Sequence, residues 1–149
     1  YTDGGLLRAQ QAQLQIDADF VGGDSNDNPD FYKLAGASAE GSVLINFPTP
    51  EILPYPEAKK YLAAYKTKFQ MDPPSIWSVT NADGLRAVIE GVEKTNSFDT
   101  KKISDYIRTM KDFPGITGPF NIREDGERVG AKFVVYKMKN DGTKDVVSE

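Results

Sequence analysis

The sequence predicts an α/β fold built on a mainly parallel sheet. Three observations lead there. Residues 42–47 (Ser-Val-Leu-Ile-Asn-Phe) form a largely apolar run of strand length, suited to a strand buried in a parallel sheet. Residues 56–69, 75–93 and 100–110 carry apolar side chains at helical spacing. The chain then closes with strand-like stretches at 118–122 and 131–139. Strands alternating with helices are the pattern of an α/β domain.

The elements follow in order. Residues 4–16 read as a helix in which Leu6, Leu7, Ala9 and Leu14 make a modest apolar stripe, with Asp3 placed to cap it. Residues 18–21 read as a short strand stopped by Gly22 and Gly23. A polar loop covers 24–29, and 30–35 is one or two helical turns ended by Gly36. After the strand at 42–47 come Pro48, Pro50, Pro54 and Pro56, which exclude both a central strand and a helix interior. This stretch reads as a connector between two structural units.

Pro56 opens the next helix, with Ala58, Tyr61, Leu62, Tyr65 and Phe69 on one face. Pro73 and Pro74 break the chain again. Val79, Ala82, Leu85, Val88, Ile89 and Val92 are expected as the buried stripe of the helix at 75–93. Thr100 is expected to cap the last helix, whose stripe is Ile103, Tyr106, Ile107 and Met110. Residues 123–126 form a turn sequence, and Asn140-Asp141-Gly142 is a hairpin signal leading to Val146 and Val147.

Composition narrows the chemistry. The 149 residues are 39% hydrophobic and 27% charged, an ordinary globular balance. With no Cys and no His, the sequence excludes disulfides, thiolate nucleophiles, Cys/His zinc sites and His-based triads of its own. The net charge is −4 and no basic stripe appears, so a nucleic-acid partner is not expected. No apolar run approaches the roughly 20 residues a membrane span needs. Neither Walker A spacing nor G-x-G-x-x-G occurs. Glu124, Asp125 and Glu127 are the only clustered carboxylates resembling an acid/base pair, and a solvated turn explains them.

Residues 24–30 (Asp-Ser-Asn-Asp-Asn-Pro-Asp) place oxygens at alternate positions, as a calcium loop does. Pro29 and Ala35 stand where that loop needs Gly and Glu, so a polar turn is the simpler reading and no metal is expected. Three residues stand apart as ligand candidates. Asp24 follows a strand in a Gly-Gly-Asp loop; it either pairs with a ligand cation or faces water. Trp77 opens a helix just after Pro73 and Pro74, although pattern alone favours it as core. Tyr1 precedes the first helix. Strand ends and helix starts are where α/β proteins form ligand clefts.

Residues 1–10 (Tyr-Thr-Asp-Gly-Gly-Leu-Leu-Arg-Ala-Gln), 20–24 (Phe-Val-Gly-Gly-Asp), 34–41 (from Leu-Ala-Gly to Ala-Glu-Gly), 113–120 with Asp125-Gly126, and 136–142 form an ordered set of stretches. Together they resemble the C-terminal part of leucine/isoleucine/valine-type periplasmic solute-binding proteins of ABC transporters. The resemblance covers essentially the whole chain and implies a fragment of a longer protein. It implies a partial type I periplasmic-binding fold, with parallel sheets flanked by helices and pieces of two hinged lobes. Residues 1–47 would belong to the second lobe, 48–56 to a hinge crossover, 57–122 to the first lobe, and 123–149 to the return to the second lobe.

The implied role is non-enzymatic and extracytoplasmic: capture of an amino acid or related metabolite and delivery to a membrane permease, with no cofactor. By the same resemblance Asp24 would pair with the ligand ammonium, Tyr1 would pack on the ligand, and Trp77 would wall the side-chain pocket. Two departures bear on the ligand. Trp77 stands where the family usually has Phe, so the bound side chain is expected to be smaller or differently shaped, and Asp24 in place of the longer Glu is expected to shift the anion by about one methylene. A sensory receptor ectodomain of the same fold, or an interaction fragment without a ligand, are the alternatives. Self-association is expected of the isolated chain, because its helices would lack part of their sheet.

Overall fold

The computed structural model describes residues 2–130 and 132–148, and the chain divides into two compact units. One unit comprises the chain up to Phe47 and again from Lys132 onward; the other comprises the residues between. In chain order the first unit opens with α1 (Thr2–Gln13), β1 (Val21–Gly22), α2 (Pro29–Ala35) and β2 (Val43–Asn46). The second unit holds α3 (Pro56–Phe69), α4 (Ile76–Thr95), α5 (Thr100–Ile107), β3 (Phe113–Gly115), β4 (Gly118–Ile122) and β5 (Arg128–Val129). The chain re-enters the first unit with β6 (Val134–Met138) and β7 (Lys144–Ser148).

The first unit carries a four-stranded sheet in the order β1-β2-β6-β7. Only β1 and β2 run parallel, with Val21 opposite Val43 and Gly22 opposite Leu44. β6 runs antiparallel to β2, Leu44 facing Tyr136, and β7 antiparallel to β6. The α/β class therefore holds, while mainly parallel pairing does not extend to the C-terminal strands. The Asn140–Gly142 turn is too short for anything but an antiparallel pair. β6 reaches β2 only after the chain's excursion through the other unit, so no βαβ crossover sets its direction.

Burial along β2 alternates. Leu44 and Asn46 are buried, Val43 is half-buried and Ile45 is exposed. The run that reads as buried on both sides is thus covered on one side by this chain. On that side Leu44, Val134, Tyr136 and Met138 pack with Tyr32 of α2. Phe31 and Ala35 of α2 form a neighbouring cluster with Ala39 and Phe20. α2 starts where its sequence says it should: Pro29 takes the first position and the Asn28 side chain accepts from the Asp30 amide at 2.9 Å. The Tyr32 hydroxyl then donates to the Asn140 carbonyl at 2.6 Å, fastening α2 to the β6–β7 turn.

In the second unit α3 has the limits that Pro56 and its apolar spacing predict. α5 is capped by Asp99 rather than Thr100; the Asp99 carboxylate accepts from the Lys102 amide at 3.0 Å. On α4 the buried stripe is Ile76, Val79, Asp83, Ala87 and Gly91. Leu85, Val88 and Ile89, expected inside, are exposed. β3, β4 and β5 form an antiparallel sheet whose Phe113, Phe120 and Ile122 pack with Ala87 and Met110.

Candidate functional site

In the first unit β1 ends at Gly22, and after Gly23 the chain tightens into a 3-10 turn at Asp24–Asn26. The Asn26 amide donates to the Gly23 carbonyl and the Asp27 amide to the Asp24 carbonyl, both at 3.0 Å. Asp24 is exposed at the start of this turn, just beyond the end of a parallel strand. The first turn of α1 is pressed against the same region. A Cβ at Gly4 would collide with the Asn26 side chain, and one at Gly5 would lie 2.8 Å from the Leu34 Cβ and 3.0 Å from the Phe31 carbonyl. Adjacent glycines at 4 and 5 are what allow the 24–26 turn and α2 to close on α1. Tyr1, the other candidate of this unit, lies outside the described residues.

In the oxygen-rich stretch 24–30, three side chains are engaged within the protein. Asn28 caps α2, and Asp30 pairs with Lys33 at 2.7 Å. Asp27 is ion-paired with Lys144 and accepts from the Asn46 amide at 2.8 Å. Among the described residues no three His, Cys, Asp or Glu are grouped to hold a metal ion.

Trp77 belongs to the second unit, so it and Asp24 are placed separately. It sits in the first turn of α4, between the buried Ile76 and Val79 in sequence but off their stripe, and is 41% exposed. Pattern alone put it in the core; helix phase brings it to the surface. Beside it the Tyr61 hydroxyl donates to the Ser78 carbonyl at 3.1 Å, tying α3 to α4. Burial holds the Tyr61 phenol above its ordinary pKa, so it stays a donor.

The carboxylates at 124–127 form no acid/base pair. Arg123 pairs with Asp125 at 2.5 Å and with Glu127, all three exposed. The Glu127 amide, donating to Asp125, is the main reason that carboxyl is held below its ordinary value.

Sequence reasoning missed Asp83, which is 1% exposed on α4. It accepts from the amides of Ile116 and Thr117 at 2.6 and 3.0 Å and from the Thr117 hydroxyl at 2.6 Å. Arg86 lies 3.6 Å away and Arg128 4.0 Å. Arg128 donates to the Thr117 hydroxyl oxygen and stacks over the Phe120 ring at 4.1 Å. Burial lowers the Arg128 pKa, opposed by the charge of Asp83. The available signal was a carboxylate in register with Ile76 and Val79 on an apolar stripe.

Residues 6–143 match the model of a family described as periplasmic binding protein. The chain belongs to that family. A leucine-, isoleucine-, valine-, threonine- and alanine-binding protein of Pseudomonas aeruginosa is 29% identical over 143 residues, 96% of this chain and 37% of that protein. The crystal structure of a leucine-binding protein, LivK, of Thermotoga maritima superposes with a TM-score of 0.85 at 29% identity, covering 98% of this chain and 41% of that one. LivJ of Streptococcus pneumoniae, solved in complex with isoleucine, gives 0.71 at 27% identity over 100% and 42%.

This periplasmic binding protein chain thus spans about two-fifths of the length of such relatives, and its fold is a partial one of type I. These relatives are solute-binding proteins, not enzymes.

Proposed function

We propose that the chain is part of the extracytoplasmic solute-binding component of an ABC importer, and that its full-length protein takes up an amino acid between two hinged lobes. The observation that carries this is the family match over residues 6–143, joined to relatives that bind leucine, isoleucine and valine. The division of the chain after Phe47 supports a hinge crossover at 48–56, with 1–47 in the second lobe. β5 pairs with β4 inside the second unit, which supports carrying the first-lobe segment beyond 57–122 before the chain returns. The permease partner and the extracytoplasmic location are part of the same proposal.

In this reading Asp24 pairs with the ligand's ammonium. A cation removed from water needs a partner anion, and Asp24 is an exposed carboxylate at the end of a parallel strand, with its turn held against α1. Trp77 and Tyr1 wall the ligand's side chain; the half-exposed indole of Trp77 supports its share of that role. Binding acts by stabilising the closed arrangement of the lobes.

A thermal-shift titration of the full-length protein with L-leucine, L-isoleucine, L-valine, L-threonine, L-alanine and, as controls, carboxylic acids without an amine tests this. A ligand at about a hundred times its Kd stabilises by about 2.7 kcal/mol. The expected result is a shift with amino acids that Asp24→Asn greatly reduces. A shift only with amine-free acids removes Asp24 from its role, and no shift with any of them removes the binding reading.

A further inference from the structure

Asp27 lies in the same 24–30 stretch as Asp24 and has no part in the proposed ligand contact. Its carboxylate is 11% exposed and is gripped from two directions. From β7 comes the Lys144 ammonium, bonded to both carboxylate oxygens. From the end of β2 comes the Asn46 amide at 2.8 Å, on a side chain that is itself buried. The Lys144 ammonium also lies 4.2 Å above the Tyr136 ring, so its position is fixed by β6 as well. The Asp27 backbone meanwhile donates to the Asp24 carbonyl. One residue therefore holds the backbone of Asp24 with its amide and two strands with its side chain.

The same strands end where the chain leaves the unit. Asn46 accepts from the Phe47 amide at 2.7 Å, and the Phe47 carbonyl accepts from the Tyr136 hydroxyl at 3.4 Å. The Phe47 ring stacks on Phe133 at 4.7 Å. Phe47 is the last residue before the first departure from this unit, and Phe133 the second residue after the return. The turn bearing Asp24 and both exits of the unit are thus joined through Asp27, Asn46, Lys144 and Tyr136.

We propose that Asp27 is a positioning residue for ligand capture: its links to Lys144 and Asn46 hold the Asp24 turn in fixed register with the strands that lead to the unit's exits. This rests on the reading of Asp24 as the ammonium partner. A carboxylate on a free 3-10 turn would have to be ordered by the ligand at the ligand's expense, and a turn already ordered avoids that cost. Asp27 touches no ligand in this scheme; it acts through Asp24.

The test is a double-mutant cycle in the full-length protein, with L-leucine, L-isoleucine, L-valine, L-threonine and L-alanine each titrated calorimetrically. Asp27→Asn is expected to weaken binding about tenfold, the equivalent of about 1.4 kcal/mol. In an Asp24→Asn background the same change is expected to cost less than about twofold, because the group it positions is gone. Lys144→Arg is expected to retain affinity and Lys144→Gln to lose it in parallel with Asp27→Asn. Equal losses from Asp27→Asn in both backgrounds mark a general structural effect and overturn the proposal, as does no loss in either. If Asp24→Asn leaves affinity intact, or none of the five amino acids binds, the reading of the site fails and this inference with it. A loss from Asp24→Asn with none from Asp27→Asn overturns the inference alone.

Discussion

Each unit sets one aspartate into its interior and faces it with a cation stacked on an aromatic ring. In the first unit this is Asp27 with Lys144 over Tyr136; in the second it is Asp83 with Arg128 over Phe120. The two differ in what donates to them. Asp83 accepts from two backbone amides and a hydroxyl of one turn, and is closed off from water. Among the described residues Asp27 accepts from side chains alone, those of Asn46 and Lys144, and keeps some access to solvent. A carboxylate bonded to main-chain amides fixes the path of the chain. One bonded to side chains fixes the placement of a loop and is cheaper to disturb.

The largest expected effect breaks the tighter of the two. Asp83→Ala removes the acceptor of two buried or half-buried amides and strands Arg86 and Arg128, whose inner nitrogens already include atoms with no hydrogen-bond partner among the described residues. Removing one member of a buried charge network costs about 3–5 kcal/mol. The single tryptophan, Trp77, lies in this unit, so its fluorescence reports the transition during urea unfolding. Asp83→Ala is expected to move that transition to markedly lower urea; a midpoint within error of wild type would show that the network is dispensable.

A second contrast concerns two glycines pressed on tyrosine rings. Gly118 has φ +102° and is buried against Tyr55, while Gly142 has φ +81° and faces Tyr32 at the hairpin turn, half-exposed. Alanine at either position is strained by the backbone alone, by about 1–2 kcal/mol. At Gly118 the new Cβ would lie 2.5 Å from the half-buried Tyr55 ring, against 2.9 Å from the Tyr32 ring at Gly142. Gly118→Ala is therefore expected to cost about 1 kcal/mol more than Gly142→Ala, since the overlap is closer and the glycine itself is buried. Urea midpoints in the reverse order would place the tighter packing at the hairpin.

How far the sequence reveals all this depends on the range of each interaction. The limits of α3 follow from Pro56 and a stripe of near neighbours, and the β6–β7 turn from Asn140-Asp141-Gly142. The strand before Asp24 was legible from Phe20 and Val21 ahead of two glycines, although the strand itself is only Val21–Gly22. The stripe of α4 was misread because two of its inward positions are Asp83 and Gly91, which hydrophobic periodicity passes over, while Leu85, Val88 and Ile89 face outward. Asp27 and Lys144 are 117 positions apart and Asp83 and Ile116 are 33 apart, separations that leave no local pattern. Asp24 was legible as a strand-end carboxylate; the group that holds it was not.

The smallest expected effect sharpens the comparison from the other side. Lys144→Gln removes the cation of the first unit's pair and leaves the Asp27 carboxylate with the Asn46 amide. With side chains 22% and 11% exposed, the pair lies between the surface case, about 0–1 kcal/mol, and the fully buried one. A cost of about 1 kcal/mol is expected, and salt is expected to reduce it only slightly because the pair is mostly out of solvent. Trp77 is in the other unit, so its transition should stay in place if the units unfold separately, while far-ultraviolet circular dichroism shows the shift. Equal displacement of both signals would mean that the units unfold together. The ranking of Asp83 above Asp27 would then rest on the size of the midpoint change alone. A Lys144→Gln cost matching that of Asp83→Ala would remove the distinction between a carboxylate that fixes the chain and one that positions a loop.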